Sequence, residues 1–281
     1  MTMEEYCKQL ERRVVELEKK NAELRAQLCI SDTKTTAVEP LQAISSAAVH
    51  KYSSPNEKIQ LFRSLFRGRE DVFAKRWYSA KTEKSGYSPV CANEWREGVC
   101  IKPKGSCLKC ENRELVTLSD AILHAHLSGK DGYGRDVVGL YPILLDDTCY
   151  FLAIDFDDGD WQDNVSEVRN ICTSWNIPCA VERSRSGEGA HLWIFFTEPI
   201  SCSVARKLGT ALLTAAMEYS GKLKLDSYDR MFPNQDTLPK GGFGNLIALP
   251  LQGQALKKNN SSFVDESFVV YADQWAYLSQ M

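Results

Sequence analysis

The sequence predicts an α+β fold, and three observations carry that reading. Helical and strand-like segments follow one another irregularly, with hairpins among them, so no regular strand-helix-strand unit recurs. No internal repeat is visible. The 281 residues are 43% hydrophobic and 25% charged, which supplies a real core and excludes a chain disordered throughout.

In chain order, residues 1–30 read as a parallel dimeric coiled coil. Cys7, Val14, Asn21 and Leu28 fall at a, and Met3, Leu10, Leu17 and Leu24 at d. A β-branched a position, Leu at d and one Asn at a favour two parallel strands, so a homodimer is expected. In that register Arg13 faces Glu18 of the partner helix, and Lys20 faces Arg25 less favourably. The same spacing also fits an amphipathic helix packed on its own domain. Residues 31–56, rich in Ser, Thr and Ala without sustained period, read as a flexible linker. The body then spans 57–281. Helices are expected at 57–67 (Ile59, Phe62 and Phe66 on one side), at 119–127 behind Ser119, at 162–175, and at 202–219 before Gly221. Strands are expected at 137–145, 149–156, 178–183, 190–196 and 245–250. The final ADQWAYLSQM reads as a helix without a stop signal. Position 281 is therefore expected to be a cut in a longer architecture or the end of a short stand-alone form.

The first residues are charged and lack an apolar secretory core, and no run approaches the ~18 apolar residues of a membrane span. A cytoplasmic, reducing setting without a membrane partner is expected, so the ten cysteines do not read as a disulfide framework. The net charge of −3 argues at first against nucleic acid, but it hides an asymmetry. Residues 51–110 carry thirteen Lys and Arg against six acids, and 141–170 carry eight acids against one Arg. The basic stretch includes Trp77, Tyr78, Tyr87 and Trp95, which suits phosphate contact and base stacking. The acidic stretch suits either a solvated face or hard cations.

Cys91, Cys100, Cys107 and Cys110 fall within twenty residues, the last pair at knuckle spacing, in a Gly- and Pro-rich loop at 88–112. Such a loop lacks the material for a core, and one structural zinc on four thiolates would replace it. His124 or His126 can substitute for one ligand, but both lie on a predicted helix, where packing is the commoner role. The remaining Cys149, Cys172, Cys179 and Cys202 lie in apolar segments and read as core.

In YFLAIDFDD, strand alternation puts Leu152, Ile154 and Phe156 on one face and Asp155 and Asp157 on the other. Two carboxylates about 6.5–7 Å apart along a strand can bracket divalent ions, as two-metal phosphoryl transfer requires. Taken alone, the pattern also fits an ordinary half-exposed strand. The hairpin VERSRSGEGAHLWIFF adds Gly187 and Gly189 for close backbone approach. It also adds Arg183, Ser184, Arg185 and Ser186 as phosphate donors, and His191 two residues past the turn. Beyond it, Asp229 or Asp226 can complete the carboxylate set, with Arg230, Lys240 and the Gly241-Gly242 turn supplying positive charge and amides.

These motifs in this order resemble the archaeo-eukaryotic primase superfamily, in its primase-polymerase branch. Asp155 and Asp157 match its first motif, Ser186 and His191 its second, and Tyr228-Asp229 its third, with Leu225-Asp226 as the alternative. LFRGREDVFAKRW at 65–77, the cysteine cluster, GLYPILLDDTCYFLAIDFD and SYDRMFPNQDTLPKGGFGNLIALPLQ are similar to the primase domain of TOTE conflict systems. They also resemble CRISPR-associated primase-polymerases. The resemblance implies a bilobal catalytic core with an RRM-like antiparallel sheet, here with an inserted zinc loop and an N-terminal coiled-coil helix. It implies template-dependent synthesis and extension of RNA or DNA primers with two magnesium or manganese ions held by Asp155, Asp157 and Asp229. Ser186, His191 and the Gly187/Gly189 backbone would grip the triphosphate of an NTP or dNTP, with Arg67, Arg69 or Lys240 as weaker candidates. The basic segment would hold a single-stranded DNA template, and helicase, nuclease or CRISPR components are possible partners. No Walker A pattern is present, which argues against an ATP-driven motor within these residues. A two-metal nuclease and a non-catalytic zinc-bearing adaptor are the alternatives.

Overall fold

A computed structural model describes residues 13, 16, 19, 20, 48–157, 159–220 and 227–281. The chain divides into two units, Met1–Ala47 and Ala48–Met281. In the first, residues 13, 16, 19 and 20 are helical, and Arg13 Nη1 pairs with Glu16 Oε2 at 2.9 Å within the same chain. The coiled-coil seam, most of the linker, Gly221 and Asp226 lie outside the described residues.

The second unit begins earlier than position 57. The Lys51 amide donates to Asp273 Oδ2 at 2.9 Å and Ser279 Oγ to the Val49 carbonyl at 2.9 Å, so the end of the expected linker is tied to the body. Helix α1 (Pro55–Leu65) starts two residues before the expected boundary. Ser54 and Glu57 form a reciprocal capping box there, with Pro55 in the first turn. Strands β1 (Ala74–Tyr78) and β2 (Ser85–Pro89) form a hairpin that the sequence reading did not assign. Helix α2 (Asp120–Ser128) follows, closed by left-handed Gly129. After it come β3 (Val138–Leu140), β4 (Thr148–Asp157), α3 (Trp161–Ser174), β5 (Ala180–Arg183), β6 (Gly189–Ser201) and α4 (Cys202–Ser220). The chain ends with β7 (Tyr228–Phe232), β8 (Ile247–Ala248), α5 (Gly253–Leu256), β9 (Ser262–Val264) and α6 (Gln274–Leu278).

The strands make two antiparallel sheets, one ordered β2-β1-β3-β8 and the other β7-β4-β6-β5-β9. The expected alternation on β4 holds. Leu152, Ile154 and Phe156 join Leu192 and Ile194 of β6 beneath α3 and α4, packed on Val165, Val168, Leu212 and Ala216. Phe151, Ala153 and Trp193 turn to the other face, against Phe62 and Phe66 of the α1 segment, Leu140 of β3 and Phe263 of β9. Asp155 and Asp157 share that second face at the end of the strand, where apolar packing gives way to a cavity. Among the described residues, no helix is long and apolar enough to cross a membrane.

Candidate active site

Three adjacent strands build the site. On β4, Asp155 lies opposite His191 of β6 and Arg230 of β7. The next residue, Phe156, pairs with Tyr228, so Asp229 is the extra residue of a bulge. In an unbroken strand Asp229 and Arg230 would point to opposite faces, and a bulge re-aims them. Ligand oxygens of Asp155, Asp157 and Asp229 consequently all lie within 4.8 Å of one another. Arg230 Nε holds Asp229 Oδ2 at 2.5 Å, and this bond, reinforced by Asp155 and Asp157, keeps the guanidinium above its ordinary basicity. Asp155 is buried, while Asp157 and Asp229 are exposed.

This cluster fits divalent cations on two grounds. Its donors are all hard carboxylate oxygens, the type magnesium and manganese select. In addition, Asp155 Oδ1 is buried and accepts no well-formed hydrogen bond, although His191 Nε2 lies 3.3 Å away as an ion-pair contact. Asp155, Asp157 and Asp229 are the residues able to hold such ions.

The hairpin β5–β6 places the second motif. Gly187 takes φ +90°, a conformation that favours glycine, and a side chain there would meet Asn260 at 2.9 Å. Gly189 plays a different part from the one its sequence position implies. A Cβ on it would sit 2.3 Å from the Phe156 carbonyl and 2.7 Å from Asp157 Oδ1, so the space is taken by β4 and not left for a ligand. Ser184 Oγ and Ser186 Oγ are 2.9 Å apart, and the Glu188 amide donates to Ser186 Oγ at 3.2 Å. Arg183 departs from its expected role. It pairs with Ala190, on the face opposite His191, and donates to the carbonyls of Asn259 at 3.3 Å and Phe268 at 2.8 Å. It clamps loops.

His191 faces two acids. Its Nδ1 lies 2.8 Å from Glu182 Oε2 and its Nε2 3.3 Å from Asp155 Oδ1. Burial alone would push the imidazole down, but Glu182 and Asp155 outweigh it and push it up to about 10. Glu182 is a residue the sequence reading missed. The signal was present, because a hairpin pairing Arg183 with Ala190 must put residue 182 opposite 191.

The triad and His191 open into a cavity of about 1010 Å³. It is also lined by Lys102 and residues 105–108 of the cysteine loop and by parts of the segment 239–248. Lys240 is exposed on that segment. A second cavity of about 450 Å³ is lined by Arg76, Arg185 and Lys258, with no carboxylate side chain in its lining. Arg185 influences Tyr87, which lines the first cavity. Arg76 and Lys258 were not singled out in the sequence. Arg67 and Arg69 belong elsewhere: Arg67 stacks over Tyr150 at 4.7 Å, and Arg69 is buried against Asp71 at 2.5 Å.

The four loop cysteines line one enclosed cavity of about 20 Å³, and Cys91 Sγ accepts the Glu114 amide at 3.3 Å. Among the described residues, only the three aspartates reach mutual 4.8 Å ligand spacing, so the sulfurs face their cavity at wider separation. His126 is no ligand. Fully buried, it receives the Val138 amide on Nδ1 at 3.2 Å and contacts the Pro250 carbonyl through Nε2 at 2.9 Å.

An antiparallel sheet thus gathers three carboxylates and a histidine at one cavity. Residues 57–281 match the family described as the archaeo-eukaryotic primase domain of the TOTE conflict system, and the chain belongs to that family. Among solved structures it is similar to the polymerase domain of Mycobacterium tuberculosis Ligase D in complex with DNA, at 13% identity. That likeness covers 80% of this chain and 79% of the other, with a TM-score of 0.42. No curated protein matches the chain.

Proposed function

We propose that this chain synthesises and extends RNA or DNA primers on a single-stranded DNA template by two-metal nucleotidyl transfer. The observation that carries the reading is the convergence of Asp155, Asp157 and Asp229 within 4.8 Å, brought about by the bulge in β7. These three side chains would hold two magnesium or manganese ions. When bound, such ions supply positive charge for the attacking 3′-hydroxyl and the triphosphate. His191, 3.3 Å from Asp155 and lining the same cavity, is placed to hold a phosphate oxygen beside them. Ser186 and the Gly187 backbone form the turn above it. Arg185, with Arg76 and Lys258, offers the distal phosphates an acid-free pocket. Arg230 pairs with Asp229 and would have to yield part of that contact when ions enter.

The template side of the proposal rests on the cysteine loop and the basic segment. The loop lines the same cavity as the triad, through Lys102 and residues 105–108, and exposes Trp95 (66% accessible) and Leu108 (51% accessible). Aromatic and cationic groups at such a rim suit unpaired bases. The four thiols that line this one cavity are the groups that would hold one structural zinc, and they would have to draw together to do so. Metal analysis should then find one zinc per chain, and well below one would contradict it.

Replacing Asp155 and Asp157 together by Ala should abolish incorporation of labelled nucleotide while leaving binding to single-stranded DNA intact. Undiminished synthesis would remove the metal-site reading. Template shortening without labelled product would instead point to a nuclease.

A further inference from the structure

Glu182 is a carboxylate placed in a core, at 1% exposure, where burying a charge is costly unless donors satisfy it. Its donors come from separate parts of the fold. Oε1 accepts the Ser261 hydroxyl at 3.3 Å, and Oε2 accepts the Trp193 indole N–H at 3.1 Å. An ionised carboxylate can only accept, so Oε2 also accepts from its other neighbour, His191 Nδ1, at 2.8 Å. Nδ1 therefore carries the proton. The ring is fixed from behind, and Nε2 is directed at Asp155, 3.3 Å away, on the side of the large cavity. The register of β5 and β6 enforces this, since Glu182 and His191 are direct cross-strand partners. A buried carboxylate behind a site histidine is the device that elsewhere sets tautomer and ring orientation.

We infer that Glu182 is a positioning residue, which holds His191 with Nδ1 protonated and Nε2 presented to a phosphate oxygen of the bound nucleotide. The inference rests on the proposed nucleotide role of His191. Glu182 itself touches neither nucleotide nor ions. It acts through the imidazole, and its indole and hydroxyl contacts keep the carboxylate from rotating away.

The test uses the full chain as wild type, Glu182→Gln, His191→Ala and the double variant. Calorimetry with a non-hydrolysable nucleoside triphosphate supplies one readout, and steady-state incorporation the second. His191→Ala should weaken triphosphate binding about tenfold, the loss of one charge-assisted hydrogen bond. Glu182→Gln should weaken it by a similar factor and raise KM more than it lowers kcat. The double variant should be no weaker than His191→Ala alone, because one residue acts through the other. Unchanged binding in Glu182→Gln beside a weakened His191→Ala overturns the positioning role only. Losses that multiply in the double variant overturn it too, because Glu182 would then act independently. Unchanged binding in His191→Ala removes the nucleotide role of the histidine, and this inference with it. A measurement on wild type alone guards against a variant that fails to fold. The ¹⁵N spectrum of His191 should show a protonated, slowly exchanging Nδ1, and a bare Nδ1 lone pair contradicts the inference outright.

Discussion

Asp229 reaches Asp155 and Asp157 only because β7 carries one residue too many opposite β4. Its removal should therefore act on chemistry and little on stability, since the side chain is exposed and bonded mainly to Arg230. Asp229→Ala should lower incorporation by about 10²–10³-fold, the scale of losing one charged group at a reacting centre. Its thermal unfolding should stay close to wild type. A near-normal rate would place the third carboxylate elsewhere. His126 gives a separate prediction at this scale. Burial pushes its imidazole down to about 4, below the 6.5 of an unperturbed histidine. Its contribution is therefore fully present above about pH 6.5 and lost as pH falls toward 4. The loss amounts to about 3 kcal/mol across that window. Denaturant midpoints followed from pH 7 to 4 should fall, and the fall should be shallower in His126→Asn. Asp155, Asp157 and His191 were legible in the sequence because strand alternation assigns their faces. Glu182 was not weighed, because a core acid and a surface acid look alike until the hairpin register is counted.

Strand β6 lies between β4 and β5, and at Gly189 it packs tightly on the Phe156–Asp157 end of β4. Gly189→Ala would force a methyl group to within 2.3 Å of the Phe156 carbonyl. The strands must part, at a cost of about 1–3 kcal/mol, and Asp157 moves with them. Both the unfolding midpoint and the incorporation rate should drop; a stable, fully active variant would contradict this packing. Strands β4 and β6 and helices α3 and α4 followed from long, strongly patterned segments. Strands β1 and β2 did not, because AKRWY and SGYSP lack clear alternation and stand out in the sequence only as part of a basic stretch. Strand β7 was hidden for a related reason: YDRMF is short, polar and interrupted by its bulge. At Gly189 the sequence shows that a glycine is needed without showing that β4 approaches it.

At the scale of the whole chain, net charge was the least informative number. The −3 total joins a basic stretch at 51–110, which supplies the cysteine-loop wall of the cavity, to an acidic one at 141–170, which supplies the carboxylates. Placing opposite charge around one cavity suits a site that must hold both cations and a polyanion. The heptads of residues 1–30 remain the basis for a proposed dimer. Equilibrium sedimentation should give the mass of two chains, and a one-chain mass would remove the proposal. The central claim is nucleotidyl transfer on a template, and one assay addresses it directly. Unprimed single-stranded DNA is incubated with manganese and each labelled nucleotide set in turn. Labelled products should lengthen with time and vanish in the Asp155→Ala, Asp157→Ala variant. No labelled product with any nucleotide set, from a protein that still binds the template, would contradict it.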